Sequence, residues 1–134
     1  MTFKQETDIP IVDHPSSFGF TRRKVMMSPM QFIKLARMTS TDLENRSMSI
    51  AQYMKITRAE ESVRKAYAGL KSSKPLVPTP YFEFKYGRIK DHEGRNRAYA
   101  SMELNRKQIP VWFIWEKTDR TPPKNLSSIR PYWD

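Results

Sequence analysis

Near the C-terminal end, Ile109-Pro110-Val111-Trp112-Phe113-Ile114-Trp115 form an almost unbroken apolar run dominated by β-branched and aromatic side chains. Such a run has no wet face to offer, so it predicts a strand buried on both sides. The rest of the chain then has to supply the sheet partners and helices that cover it. With 134 residues and 38% apolar content there is material for one modest core, so one domain with tails is expected.

Residues 1–22 hold Pro10, Pro15 and Gly19 with no sustained period and read as an N-terminal arm, in which Ile9, Ile11 and Val12 suit a short edge strand. The domain is read over 23–116. Lys24 to Met27 is a short apolar strand segment running into Ser28-Pro29, an N-cap residue followed by one suited to the first helical position. Phe32, Ile33, Leu35 and Ala36 then mark the apolar face of a helix over 29–38. Thr39 to Ser49 shows no period and is expected to be a loop, while 50–56 reads equally as helix or strand. Thr57 and Glu60 have capping-box spacing ahead of Ala59, Val63, Ala66, Tyr67 and Leu70, which predicts a helix over 58–71 ended by Ser72-Ser73-Lys74-Pro75. Pro75, Pro78 and Pro80 keep the next stretch extended. Tyr81, Phe82, Phe84 and Tyr86 predict a strand, Tyr86-Gly87-Arg88 a turn, and Ile89-Lys90 the return of a hairpin. A helix over 95–104 follows, with Asn105 suited to a left-handed end. Residues 117–134 are Pro-rich, basic and aperiodic, and read as a tail that folds back or awaits a partner.

Charge narrows the function. Lys and Arg number 24 against 14 Asp and Glu, a formal charge of +10, which calls for a polyanionic partner such as a nucleic acid, a nucleotide or an acidic protein surface. The absence of cysteine excludes a disulfide framework, a thiolate metal site and a cysteine nucleophile. No apolar stretch suits a membrane span or a secretory signal, so a soluble, cytoplasmic protein with no membrane partner is expected. Arg22-Arg23-Lys24, Arg88 with Lys90, Arg95 with Arg97, and Arg106-Lys107 form four basic groups. If the fold gathers them on one side, that side binds nucleic acid through phosphates, with strong salt dependence and little sequence preference.

The chemistry concentrates between Asp91 and Val111. A glycine between strand and helix permits close backbone approach, and the N–H groups at a helix start attract phosphate, so Gly94, Arg95, Asn96 and Arg97 form a candidate phosphate or nucleotide site. Asp91 and Glu93 are candidate ligands for a divalent ion such as Mg2+, and His92, Glu93 and Arg97 are the candidate catalytic set. Each has a plainer reading: a helix cap with solvated arginines, an exposed loop histidine, and carboxylates paired with nearby arginines. The run from Trp112 to Trp115 reads as core rather than as a base-stacking platform, which needs exposed rings beside basic residues, and Tyr81, Phe82 and Tyr86 are better placed for exposure.

This segment resembles the ParB/sulfiredoxin-like superfamily, whose members carry a glycine-arginine loop, an Ala-rich helix and an apolar-Pro-Val strand. Glu93-Gly94-Arg95-Asn96-Arg97-Ala98 corresponds to the loop, Ala100 and Leu104 to the helix, and Ile109-Pro110-Val111 to the strand. Val25-Met26-Met27-Ser28-Pro29-Met30-Gln31-Phe32 resembles the family's first strand and Ser-Pro helix start, and Lys74-Pro75-Leu76 with Pro80-Tyr81-Phe82 its proline-marked approach to the central strand. The likeness spans about 24–115 and is strongest over 91–111. It implies an α/β (α+β) fold with a small mixed sheet, two or three packed helices and extended termini. It also implies nucleotide-phosphate contacts at Gly94 and Arg97, and a nucleoside triphosphate as ligand. Asn96 stands where many small members have histidine, so His92 would have to supply that imidazole from the other side of the glycine. Sulfiredoxin chemistry needs a loop cysteine and is excluded, and no residues remain for the DNA-binding and dimerisation domains of partition proteins.

Two functions follow. The first is a phosphate-recognising nucleotide- or nucleic-acid-binding protein, on this resemblance a ParB-like nuclease, that is a metal-dependent phosphodiesterase, or an NTP-binding or NTP-hydrolysing accessory protein. Its compact basic design is analogous to phage and plasmid accessory proteins. In the nuclease form a carboxylate-held metal would activate water while His92 moved a proton. The alternative is a non-catalytic protein on the same fold that grips a host protein or nucleic acid through its basic surface and arms.

Overall fold

The computed structural model describes residues 19–59, 65, 79–123 and 129–132. Strand β1 (Phe20–Met27), helices α1 (Pro29–Met38), α2 (Leu43–Ser47) and α3 (Ile50–Ala59), strands β2 (Tyr81–Lys85) and β3 (Arg88–Glu93), helix α4 (Arg95–Glu103) and strand β4 (Ile109–Glu116) follow in that order. The fold is mixed α/β: an open four-stranded sheet in the order β1-β4-β2-β3, with these four helices packed against it.

The apolar run becomes β4 and takes the inner position its composition demands. It pairs antiparallel with β1, where Val25 faces Val111 and Met27 faces Ile109, and parallel with β2, where Phe82 faces Phe113. β2 and β3 form the expected antiparallel hairpin, and a bulge between Glu83 and Phe84 gives β3 one extra residue, Lys90. Because side chains alternate along each strand, this register assigns Met27, Val25, Ile109, Val111, Phe113, Phe82, Phe84 and Ile89 to one face. All are at most 2% exposed. They pack with Phe32, Ile33 and Ala36 of α1, Tyr53 of α3 and Ala98, Tyr99 and Ala100 of α4. Phe32 meets Phe82 with ring centroids 4.6 Å apart, and Phe84 meets Phe113 at 4.9 Å. Each large side chain buried in this way contributes about 1.5–3 kcal/mol. The opposite face carries Arg22, Lys24, Trp112, Ile114, Tyr81, Glu83, Asp91 and Glu93.

Local signals explain most boundaries. Ser28 caps α1 by accepting the Gln31 N–H at 3.1 Å, with Pro29 opening the helix. Asn105 has φ 59°, the left-handed conformation expected after α4. β1 begins at Phe20, so Phe20, Thr21 and Arg22 belong to a strand rather than to the arm. The stretch expected to be a loop contains α2, capped by Asp42, and the Arg37 guanidinium fastens it by donating to the carbonyls of Arg46 and Met48 at 3.1 and 3.0 Å. Residues 50–56 resolve as helix because Ser49 and Gln52 form a reciprocal capping box: the Gln52 N–H donates to Ser49 Oγ at 3.2 Å and the Ser49 N–H to Gln52 Oε1 at 3.1 Å. Thr57 consequently lies inside α3, its buried hydroxyl donating to the Tyr53 carbonyl at 2.9 Å, and does not cap a new helix. Apart from Arg58, Ala59 and Lys65, which are helical, the helix expected over 58–71 lies outside the described residues, as do the connector through Pro78 and the Ile9–Val12 segment.

The tail folds back. Ile129 is 7% exposed in the core cluster, the Ile89 N–H donates to the Arg130 carbonyl at 2.8 Å, and the Tyr132 N–H donates to the Ile89 carbonyl at 2.6 Å. Ile89 and Pro131 form a parallel bridge, so residues 130–132 lie along the outer edge of β3. Among the described residues no helix is long and apolar enough to cross a membrane.

Candidate functional site

β3 and α4 meet at Gly94, which has φ +116° and serves as the N-cap of α4 without a side-chain capping bond. A Cβ there would stand 2.5 Å from Pro80 Cβ and 2.8 Å from Pro80 Cα. The close approach that demands glycine is therefore to Pro80. Pro80 in turn accepts the Trp112 N–H at 2.9 Å, which ties the loop to β4.

Alternation along β3 divides the candidate catalytic set. His92 pairs with Phe82 and turns toward the helix-covered face, where its ring lies 6.1 Å from that of Phe82. Asp91 and Glu93 pair with Glu83 and Tyr81 and occupy the opposite face. His92 and Glu93 are thus neighbours in sequence that do not converge. Arg97, on the first turn of α4, reaches back to Glu93 with Nη2 2.5 Å from Oε2. Glu83 pairs with Lys90 at 3.4 Å. Burial raises the Tyr81 hydroxyl pKa above its usual 10.0, reinforced by the carboxylates of Asp91, Glu93 and Glu83 and opposed by Arg97. Asp91 and Glu93 do share a face, as ligands of one metal ion would, and Glu93 Oε2 is ion-paired with Arg97. Among the described residues no three His, Asp or Glu gather as a metal site.

On the helix side a different group forms. Arg95 lies over the Tyr53 ring, 5.1 Å from its centroid, and donates from Nη1 to the Tyr53 hydroxyl at 3.2 Å. Burial lowers the His92 pKa below 6.5; the nearby Arg95 charge acts in the same direction, while the Asp91 and Glu93 charges oppose it. Arg95 and His92 therefore sit within electrostatic reach of each other beside the N-terminus of α4. Tyr53, 1% exposed on α3, is the member that the sequence did not single out, because 50–56 carried no assigned element. Asn96 is half-buried in the same turn.

The register divides the basic groups by face: Arg22, Lys24 and Arg88 fall on the open face of the sheet, where Arg97 also reaches Glu93, and Arg23 falls on the helix-covered face. Arg22 and Lys24 lie on β1 and Arg88 and Lys90 on β3, the two opposite edges of the sheet, about 14 Å apart at ordinary strand spacing. Arg106 and Lys107 occupy the turn before β4, and Arg95 with Arg97 the start of α4. Arg22 stacks on Trp112 at 4.9 Å and Arg23 on Trp115 at 5.7 Å. No family model, curated protein or solved structure matches the chain.

Proposed function

We propose that the chain is a phosphate-recognising, nucleic-acid-binding protein whose phosphate site is the start of α4, with Arg95 as the principal side-chain donor and His92 beside it. One observation carries the reading. The first turn of α4 has no acidic residue and no side-chain cap, and it carries two arginines at the positive end of the helix dipole. Cations there are unfavourable by about 0.3–1 kcal/mol each, and a bound phosphate reverses the sign of that interaction. Glu93 answers Arg97 internally, while Arg95 donates to the Tyr53 hydroxyl and lies over the Tyr53 ring on the helix side.

The ParB/sulfiredoxin-like fold is part of this proposal. It is supported by the succession of hairpin, Gly94 loop, helix and Ile109-Pro110-Val111 strand. Phage- or plasmid-like accessory roles and a nucleoside triphosphate ligand belong to the same reading. Binding is favoured over cleavage, because a nuclease built on His92, Asp91 and Glu93 needs groups on both faces of β3 to meet at one phosphorus.

The test is a titration with inorganic phosphate, ATP and short duplex DNA, with and without Mg2+, at two salt concentrations. Arg95→Gln is expected to weaken phosphate-ligand affinity at least tenfold and to reduce the salt slope for DNA by about one unit. Affinity should rise as pH falls through 6.5, since a bound anion favours protonated His92. Equal affinity in a correctly folded Arg95→Gln protein refutes the assignment.

A further inference from the structure

At the far end of the sheet the β2–β3 hairpin closes through Tyr86 and Gly87, both with positive φ, 55° and 78°. Lys85 pairs with Arg88 across them, so this is a two-residue type I′ turn. Its first central position favours Asn or Asp, whose short polar side chains tolerate the left-handed region. A tyrosine there is strained, and the strain is unrelieved by burial: Tyr86 is 66% exposed. The packing of the fold gives no reason for an aromatic ring at this point.

Three observations supply one. Lys85 Nζ lies 5.5 Å from the centre of the Tyr86 ring and 5.8 Å from that of Tyr132, itself 42% exposed. Two of the four exposed large hydrophobic residues among those described thus flank a single ammonium group. Both are held from behind. The Tyr86 N–H donates to Asp119 Oδ2 at 2.8 Å, and the backbone of Thr121 packs against Gly87. Tyr132 is fixed by its bond to the Ile89 carbonyl. Exposed Arg120 and Arg130 neighbour these anchors in the chain. Of the local acids, Glu83 pairs with Lys90 and Asp119 accepts from Tyr86 and Thr121, while exposed Glu116 lines the same recess as Lys85 and Tyr86.

We propose that Tyr86, Tyr132 and Lys85 form a base-stacking platform for single-stranded nucleic acid, separate from the phosphate site at α4. Exposed rings beside a cation match what stacked bases and their phosphates require, since every base has a π-face and successive phosphates need positive charge. Charge favours a nucleic acid over a protein as the occupant: the rings flank Lys85, and exposed Arg120 and Arg130 neighbour their anchors in the chain, in a sequence of net charge +10. The platform rests on the nucleic-acid reading but not on the α4 site.

The decisive variant is Tyr86→Asn, because Asn-Gly is the preferred pair for this turn. It removes the ring while relieving strain, so a loss of binding cannot be ascribed to misfolding. Full-length protein is titrated with a fluorescein-labelled oligothymidylate and with duplex DNA, and its melting temperature is measured in parallel. Tyr86→Asn should weaken single-strand binding about tenfold, leave duplex binding within twofold, and raise the melting temperature. Tyr86→Phe and Tyr132→Phe should bind as wild type, and Tyr132→Ala should lose about tenfold. Unchanged single-strand affinity in Tyr86→Asn and Tyr132→Ala overturns the platform, as does capture of a protein partner through the tip with no oligonucleotide binding. Loss in Arg95→Gln without loss in the tip variants leaves the α4 site standing and overturns the platform alone. No binding of any strand by wild type overturns both.

Discussion

Replacing Gly94 by alanine separates a structural glycine from one kept clear for a ligand. The Cβ would lie 2.5 Å from Pro80 Cβ and 2.8 Å from both Pro80 Cα and Cγ, roughly an ångström short of the optimal carbon–carbon contact near 3.5–4.0 Å. Pro80 cannot yield by rotating, because its ring has no free rotamer and its carbonyl accepts the Trp112 N–H at 2.9 Å. Relief therefore requires moving β2 against β4 or displacing the first turn of α4. Overpacking of this kind costs about 1–3 kcal/mol. The positive φ of +116°, a conformation that alanine rarely adopts, adds about 1–3 kcal/mol. The expected loss is about 2–6 kcal/mol, a large fraction of the roughly 5–15 kcal/mol typical of a domain. Urea unfolding followed by tryptophan fluorescence measures it, with the slope checked so that a midpoint shift can be read as stability. Phosphate affinity in the residual folded population should change less than in Arg95→Gln. A loss below about 1 kcal/mol, with phosphate binding abolished, would refute the reasoning and return Gly94 to the role of backbone donor at a ligand.

His92 predicts an acid limb of stability: its pKa in the fold lies below the unfolded 6.5, so stability is full above pH 6.5 and falls as pH drops from there toward the folded value. Urea midpoints between pH 7.5 and 5 should show this decline in wild type and a flatter profile in His92→Asn; equal slopes sink the assignment. Asp119 is mostly solvated. Its partial burial favours the neutral acid, but the Thr121 and Tyr86 N–H groups, the Thr121 hydroxyl and Lys85 outweigh that and hold its pKa below 3.8. Its contribution is therefore present above pH 3.8 and lost as pH falls through the folded value. Asp119→Ala should cost about 1 kcal/mol at neutral pH after allowance for solvent screening, with the gap to wild type closing below pH 3.8 in the same unfolding assay.

The sheet was legible where hydrophobicity has one explanation. Ile109–Trp115 could only be an inner strand, and Ser28-Pro29 and Asn105 carry their own conformational instructions. The helices of the middle third were less legible. Ser49 and Gln52 form a capping box, but Thr57 and Glu60 offer the same spacing eight residues later, and only tertiary burial of Tyr53 and Thr57 selects the first. α2 buries no side chain of its own and is held by Arg37 from a different helix, so no local period announces it. The extra residue at Lys90 likewise follows from pairing geometry that no composition reveals.

The candidate site shows why a motif can be read correctly as residues and wrongly as a constellation. Asp91-His92-Glu93 suggests three groups working together if the segment is a loop, since loop side chains can converge. β3 extends through Glu93, and a strand sends successive side chains to opposite faces. The imidazole is thereby delivered to Phe82 and Arg95, and the carboxylates to Tyr81 and Arg97. Two arginines two residues apart on α4 are parted in the same way, one toward Tyr53 and one toward Glu93. What survives of the motif as a unit is its helix-side half: a helix start, a guanidinium and a neutral histidine whose proton affinity an arriving anion would raise. That combination is what the proposed phosphate site rests on, and it makes the proposed binding sensitive to pH. Because β3 sends Asp91 and Glu93 to the face opposite His92, recognition rather than cleavage is the role proposed for this site.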